Sequence, residues 1–151
     1  MSSEANGLKL SPYLNVKDAA QALDFYCEVF GATAMFRLVD PGDGRIGHAQ
    51  LQFGDTLMML SDEYPDFGAL GPAAFGGAAV KWHLSVDNVD ETFARAIEKG
   101  AVEVQAVEDQ FYGSRSGVVE DPFGHVWHLD TEVEVVTPET MQGRWNEAGD
   151  E

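Results

Sequence analysis

The sequence predicts an α+β fold built from two tandem βαβββ modules, and three observations lead to this prediction. Gly44–Leu60 has the same plan as Phe111–Leu129, found 69 residues later: a strand, a glycine-containing turn and a second strand. Tyr13–Val16 likewise corresponds to His83–Val86, and each is followed by a helical pattern that ends at a Gly-Ala pair. A repeat of this length identifies a duplicated supersecondary unit.

Length and composition are those of a folded globular chain. The 151 residues are 44% apolar, and a half of that length alone would bury only a marginal core, so the modules are expected to pack with each other or with a second chain. The formal net charge is −17, from 26 acidic and 9 basic residues. This charge excludes nucleic acid as a partner and disfavours an anionic membrane surface, because both need Lys and Arg.

Cysteine usage and the amino terminus predict a cytoplasmic protein. Cys27 is the only cysteine, which excludes an internal disulfide and fits a reducing compartment. The first seven residues, MSSEANG, are polar and lack the apolar core of a signal peptide. No apolar run approaches the roughly 18 residues of a membrane span.

Alternation and capping signals place the elements of the first module. Alternating side chains predict the strands, and Asp18 with Gln21 predicts the amino-terminal cap of a helix that stops at Gly31. The turn chemistry of residues 40–44 separates the second strand from the third. The predicted strands are Leu10–Val16, Ala32–Val39, Ile46–Phe53 and Leu57–Ser61.

The second module repeats these signals. Asn88 and Glu91 form a cap-like pair before a helix that ends at Gly100, and Pro138 suits the first turn of a short carboxy-terminal helix. The predicted strands are Val80–Val86, Ala101–Val107, Ser114–Val119 and His125–Asp130. We therefore predict one structural domain overall, with modules at 8–62 and 80–132, a linker at 63–79 that is mobile or forms a lid, and a helix with an acidic tail at 133–151.

Strand alternation also predicts a binding site. If each helix covers the apolar face of its own sheet, the opposite faces are left to line one polar, concave site. Arg115 falls on the same side as His48 if the repeat keeps its register. The residues predicted to line the site are Ser11, Tyr13, Asn15, His48, Gln50, Met59, His83, Arg115 and His128.

Four segments together resemble the vicinal oxygen chelate superfamily, also called the glyoxalase/bleomycin resistance/dioxygenase fold, and its PhnB-like branch in particular. They are YLNVKDAAQALDFYCEVFGA, GHAQLQFGDTLMMLSDE, FYGSRSGVVEDPFGHVWHL and PETMQGRW. The resemblance implies that the paired modules form curved mixed sheets around a cavity, commonly in a homodimer. Fold alone does not fix the chemistry.

Metal-dependent members of that superfamily hold a divalent ion with four side chains, and the resemblance places these positions at Ser11, Met59, Lys81 and His128. Only His128 is an ordinary ligand, because a thioether is soft, a serine is weak and a protonated lysine repels a cation. We therefore expect no metal cofactor. The alternative is a divalent metal at a shifted site formed by His48, His83 and His128.

Three functions fit these residues. The leading one is metal-free binding of a small organic molecule, a class that includes antibiotic sequestration, with Tyr13, Tyr64, Phe67 and Tyr112 as stacking surfaces. The second is a metal-dependent lyase, isomerase or dioxygenase that uses the shifted site. The third is a catalytic pocket without metal, in which His83 would act as the general base.

Overall fold

Eleven regular elements follow one another in the order that the repeat predicts. The computed structural model describes residues 7–149, so the polar start at 1–6 and the last two residues of the acidic tail lie outside the described residues. The strands are β1 (Tyr13–Val16), β2 (Thr33–Val39), β3 (Ile46–Phe53), β4 (Thr56–Asp62), β5 (Lys81–Ser85), β6 (Val102–Asp109), β7 (Ser114–Glu120) and β8 (Val126–Glu132). The helices are α1 (Ala19–Phe30), α2 (Val89–Glu98) and α3 (Pro138–Gly149).

The chain divides into two compact units, here called unit 1 and unit 2, between Gly76 and Gly77. This point lies inside the predicted linker. Each unit holds one four-stranded mixed sheet, with the order β1-β4-β3-β2 in unit 1 and β5-β8-β7-β6 in unit 2. In each sheet the first strand runs parallel to the last, and the other pairs are antiparallel. The α+β prediction of two tandem βαβββ modules is therefore confirmed.

Capping side chains fix both crossover helices. Asp18 accepts a hydrogen bond from the Gln21 amide at 3.1 Å, and Gly31 ends α1 in the left-handed conformation with φ 79°. Asn88 plays the corresponding part for α2, accepting from the Glu91 amide at 3.2 Å. Each cap satisfies an amide that the first helical turn cannot pair, so the sequence signals were sufficient to locate both helix starts.

A second contact joins each helix start to its own sheet. In unit 1 the buried Asp62 carboxylate accepts from the amide of Ala19 at 2.8 Å and from the amide of Ile46 at 2.7 Å. In unit 2 Thr131 takes the equivalent place and accepts from the amide of Val89 at 2.8 Å. These contacts hold each helix over one face of its sheet, and the opposite face carries the polar side chains.

The predicted linker packs on unit 1 as far as Gly76. It contains two short 3₁₀ turns, Pro65–Phe67 and Pro72–Phe75. The Glu63 carboxylate accepts from the Gly71 amide at 2.7 Å, and the Arg45 guanidinium lies 3.9 Å from the centre of the Tyr64 ring. The segment therefore forms one wall of unit 1.

Within residues 7–149, no helix combines the length and the apolar character needed to cross a membrane.

Candidate functional site

The polar face of unit 1 carries a hydrogen-bonded row of side chains from β1 and β3. The Tyr13 hydroxyl lies 3.0 Å from Nδ1 of His48, and Nε2 of His48 lies 3.1 Å from the Gln50 amide nitrogen. An amide nitrogen can only donate, so a neutral His48 accepts at Nε2 and donates from Nδ1 to the Tyr13 oxygen. The Tyr13 hydroxyl proton is then left to donate to a ligand.

A pocket of about 550 Å³ opens beside this row. Its aromatic walls are Tyr13 together with Tyr64 and Phe67 from the linker segment. Asn15 and Ser61 supply its polar floor, where the Asn15 amide donates to the Ser61 hydroxyl at 2.7 Å. The lining contains no side chain with a formal charge, and its size is in the usual range for small-molecule sites.

The polar face of unit 2 is organised around the buried carboxylate of Asp130. Ser85 donates to it at 2.7 Å, and Nε2 of His83 lies 3.3 Å from its other oxygen. Burial alone would raise the pKa of Asp130, but the hydrogen bonds from Ser85 and Ser114 and the neighbouring His83 hold it below its usual range. Asp130 is therefore an anion fixed beneath the His83 ring.

His128 lies directly across from His83 on the same face, in register between β5 and β8. The two rings meet edge to face with their centroids 5.0 Å apart. Burial lowers the pKa of His128 below its ordinary value of 6.5, and charge on His83 and Lys81 lowers it further. The lowered pKa leaves His128 neutral at neutral pH, and the Tyr112 hydroxyl lies 3.4 Å from its Nε2.

Arg115 lies on the other face of its sheet, so its predicted placement beside the site is wrong. Its guanidinium forms two hydrogen bonds with Asp90 of α2, at 2.9 and 3.1 Å, and one with Asp109 at 3.2 Å. Gly117, which has the same parity, packs against the helix: a Cβ there would lie 2.9 Å from the Phe93 ring. The cause is a turn that is one residue longer in unit 2.

The two turns explain this change of face. In unit 1 the turn residues 54–55 separate the paired Phe53 and Thr56, whereas in unit 2 residues 122–124 separate Asp121 and His125. Side chains alternate along a strand, so a shift of one residue moves every side chain to the opposite face. The repeat had assigned Arg115 and Gly117 to the polar face. Ser114 and Ser116 take those positions instead.

The other predicted residues fall on the polar face of their own unit. The structure brings Tyr13, His48 and Gln50 together in unit 1, with Asn15 and Met59 on the same face, and it brings His83 and His128 together in unit 2. Ser11 precedes β1 and is outside the regular strand. A single site shared by both units stays a prediction, as does the binding role of each residue.

Sequence reasoning missed the residues that support the predicted ones. Asp130 was placed only as a strand end, and Ser61, Ser85 and the two serines of β7 were passed over. The signal was present for Asp130 and Ser85, because each lies two positions beyond a predicted site residue and therefore on the same face.

Comparisons with known proteins agree with this architecture. The sequence model of the Glyoxalase/Bleomycin resistance protein/Dioxygenase superfamily matches residues 9–129. The chain belongs to this superfamily. An uncharacterized protein of Mycobacterium bovis is 42% identical over 144 residues, covering 93% of this chain and 94% of the relative.

Two solved structures extend the comparison. TioX from Micromonospora sp. ML1 has a TM-score of 0.63 and 30% identity, covering 83% of this chain and 99% of its own. The PhnB protein from Bacillus cereus has a TM-score of 0.66 and 16% identity, covering 82% and 99%. The latter likeness concerns the fold alone, and it agrees with the predicted PhnB-like neighbours.

The residues at the four metal positions of the superfamily do not fit a divalent ion. Met59 is paired with Tyr13, and Lys81 lies on an exposed part of β5 where its ammonium repels a cation. Ser11 and His128 leave one ordinary ligand among four. In the described part of the chain, residues 7–149, no three His, Cys, Asp or Glu side chains are grouped to hold a metal.

Proposed function

We propose that the protein binds a small planar organic molecule in the unit 1 pocket, without a metal at the four superfamily positions. The observation that carries the proposal is the lining of the pocket, in which three aromatic rings surround an amide and a hydroxyl. Aromatic walls favour a flat apolar ligand, and the few polar groups fix its orientation. Antibiotic sequestration is one function of this class.

The charge of the chain supports a preference among such ligands. A net charge of −17 attracts cations at long range, while the pocket lining itself is uncharged. A planar cation should therefore associate faster than its neutral isostere. Salt should reduce the difference, because the Debye length is only about 8 Å at physiological ionic strength.

The proposal also includes a cytoplasmic homodimer. β2 is the edge strand of its sheet and exposes Met35, Phe36, Leu38 and Val39, each to 47% or more. An exposed apolar edge strand is a pairing surface that soluble proteins normally cover. A second copy of the chain would cover it, and the single cysteine is consistent with a reducing compartment.

The experiment compares N-methylquinolinium with 1-methylnaphthalene, a charged and a neutral ring system of the same shape, by NMR titration. Phe67→Ala is the test variant, because the ring lines the pocket yet is 85% exposed, so its loss should leave the fold intact. Loss of one stacking partner is expected to weaken binding by about 2- to 10-fold.

Phe75→Ala is the matched control. This phenylalanine lies in the neighbouring 3₁₀ turn and is 71% exposed, but it does not line the pocket. Equal affinities for the two variants, or no binding of either ring system at millimolar concentration, would overturn the proposal.

A further inference from the structure

The polar faces of the two units contain a side-chain hydrogen bond at equivalent positions, but the groups that form it differ. The Asn15 amide donates to the Ser61 hydroxyl at 2.7 Å in unit 1, and the Ser85 hydroxyl donates to the Asp130 carboxylate at the same distance in unit 2. Both pairs join the first strand of a unit to its last, at equivalent register positions. Unit 2 therefore holds an anion where unit 1 holds a neutral hydroxyl.

That anion fixes the tautomer of His83. Nε2 of His83 lies 3.3 Å from Asp130, and a carboxylate accepts only from a protonated nitrogen. A neutral His83 therefore carries its proton on Nε2, and the lone pair lies on Nδ1. The Asp130 side chain is 8% exposed and the His83 side chain is 53% exposed, so a buried carboxylate supports a ring that solutes can reach.

One ammonium and a second imidazole lie on the same face as His83, in a chain whose net charge is −17. Lys81 lies two residues earlier on β5, with the same parity, and His128 lies in register across from His83. The third strand of the face adds Ser114 and Ser116, which are buried and uncharged. A small oxyanion beside His83 would lie near one ammonium and two imidazole rings. The register places two further carboxylates on this face, Glu120 and Glu132, both at exposed positions.

We propose that the Asp130–His83 pair accepts a proton from a weakly acidic hydroxyl compound, such as a phenol or an enol, and holds the resulting oxyanion beside Lys81. The O–H bond of the ligand breaks, a new N–H bond forms at Nδ1 of His83, and the electron pair stays on the ligand oxygen. The imidazolium is then paired with Asp130 on one side and with the oxyanion on the other, so no other reactant is needed. This site belongs to unit 2 and does not depend on the proposed pocket of unit 1.

The probe is 4-nitrophenol, whose phenolate absorbs in the visible range, titrated with protein at a pH below the pKa of the free phenol. The wild-type protein should raise the phenolate absorbance in a saturable way. His83→Gln removes the proton acceptor, and Asp130→Ser recreates the neutral partner found in unit 1 while keeping a hydrogen-bonding partner for Ser85. Each substitution is expected to lower the phenolate affinity at least about tenfold.

Two control variants and one NMR measurement separate the possible results. Arg115→Gln changes a charge on the opposite face of the same sheet and should leave the signal unchanged. Phe67→Ala should also leave the phenolate signal unchanged, because Phe67 lines the unit 1 pocket and the phenolate binds in unit 2. Nitrogen-15 NMR should place the His83 proton on Nε2 in the wild type and move part of it to Nδ1 in Asp130→Ser.

Absence of a saturable phenolate signal, or full retention of that signal in Asp130→Ser, would each overturn the proposal. A structural role for Asp130 would change the stability of unit 2 but would not produce the phenolate spectrum. Loss of planar-cation binding in Phe67→Ala with an intact phenolate signal would support both sites independently.

Discussion

Asp121 should be the main stabilising residue of the turn that sets the register of β7 against β8. The residue is only 3% exposed. One carboxylate oxygen accepts from the amides of Phe123 at 2.9 Å and His125 at 3.0 Å, and the other accepts from the indole N–H of Trp127 at 2.9 Å. The perturbation is a double-mutant cycle of Asp121→Asn and Trp127→Phe.

The geometry gives the expected size of the effect. An asparagine oxygen can still accept both turn amides, but its NH₂ group then faces the indole N–H, so one charge-assisted bond is lost and two buried donors oppose each other. Hydrogen bonds to charged groups contribute about 1.5–3 kcal/mol, so Asp121→Asn should lower the free energy of unfolding by about 2–3 kcal/mol. In the Trp127→Phe background the same change should cost less, with a coupling energy of about 1.5–2 kcal/mol.

Urea unfolding followed by tryptophan fluorescence measures the cycle. All three tryptophans lie in unit 2, so Trp82 and Trp145 still report on that unit after Trp127 is replaced. Unchanged m-values across the four proteins would show that the same transition is compared. A coupling energy below about 0.5 kcal/mol, the usual additivity error, would refute the role of the indole contact.

Four further predictions follow from the contacts described above. Folding lowers the pKa of His128, so the unfolded state binds more protons than the folded state near and below pH 6.5. The stability of unit 2 should therefore fall as the pH drops from about 7 through the folded pKa. In urea titrations, His128→Gln should reduce this dependence of stability on pH. Arg115→Ala should leave ligand affinity unchanged and lower the melting temperature slightly, less so in high salt, because its ion pairs are exposed. Elemental analysis should find far less than one Zn, Fe, Mn or Ni per chain. Light scattering should give a dimer, and a monomer at micromolar concentration would contradict the β2 interface.

Much of the fold could be predicted from the sequence, because the local chemistry of these residues agrees with the tertiary structure. Asp18 and Asn88 cap the helices as their positions relative to the helical patterns predict, and strict alternation placed Tyr13 and His83 on the polar faces. In each case one side-chain property, a hydrogen bond to an unpaired amide or burial of one strand face, decides the structure locally.

The sequence does not predict which face of the sheet Arg115 lies on, because two length differences between the units cancel. Gly44 lies two residues before the start of β3, whereas Gly113 lies one residue before the start of β7. The shorter approach compensates for the longer turn around Pro122. The two glycines are therefore 69 residues apart, and so are equivalent residues of the two last strands, although β7 itself is shifted by one residue. The strand pairing reveals the shift, and the hydrogen bonds of Asp121 define the longer turn.

The linker could not be placed for a different reason. Residues 63–79 have neither a helical nor a strand period, and the segment is held by one contact to a strand-flanking residue of unit 1 and one contact within itself. The Tyr64 ring packs on Arg45, and the Gly71 amide binds the Glu63 carboxylate. Phe67 was predicted as a stacking residue, but its place in the lining of the unit 1 pocket is seen only in the tertiary structure.

Comparison of the two units separates scaffold residues from residues that set the chemistry of each face. Asp62 and Thr131 differ in charge, yet each accepts from the first amide of its helix, so this position only needs an acceptor. Ser61 and Asp130 also occupy equivalent positions, but here the difference in charge has a consequence, because Asp130 lies against an imidazole and Ser61 lies against the Asn15 amide. The same backbone frame therefore supports an uncharged aromatic pocket in unit 1 and a buried carboxylate beneath an imidazole in unit 2, and assays of function should test the two faces with different ligands.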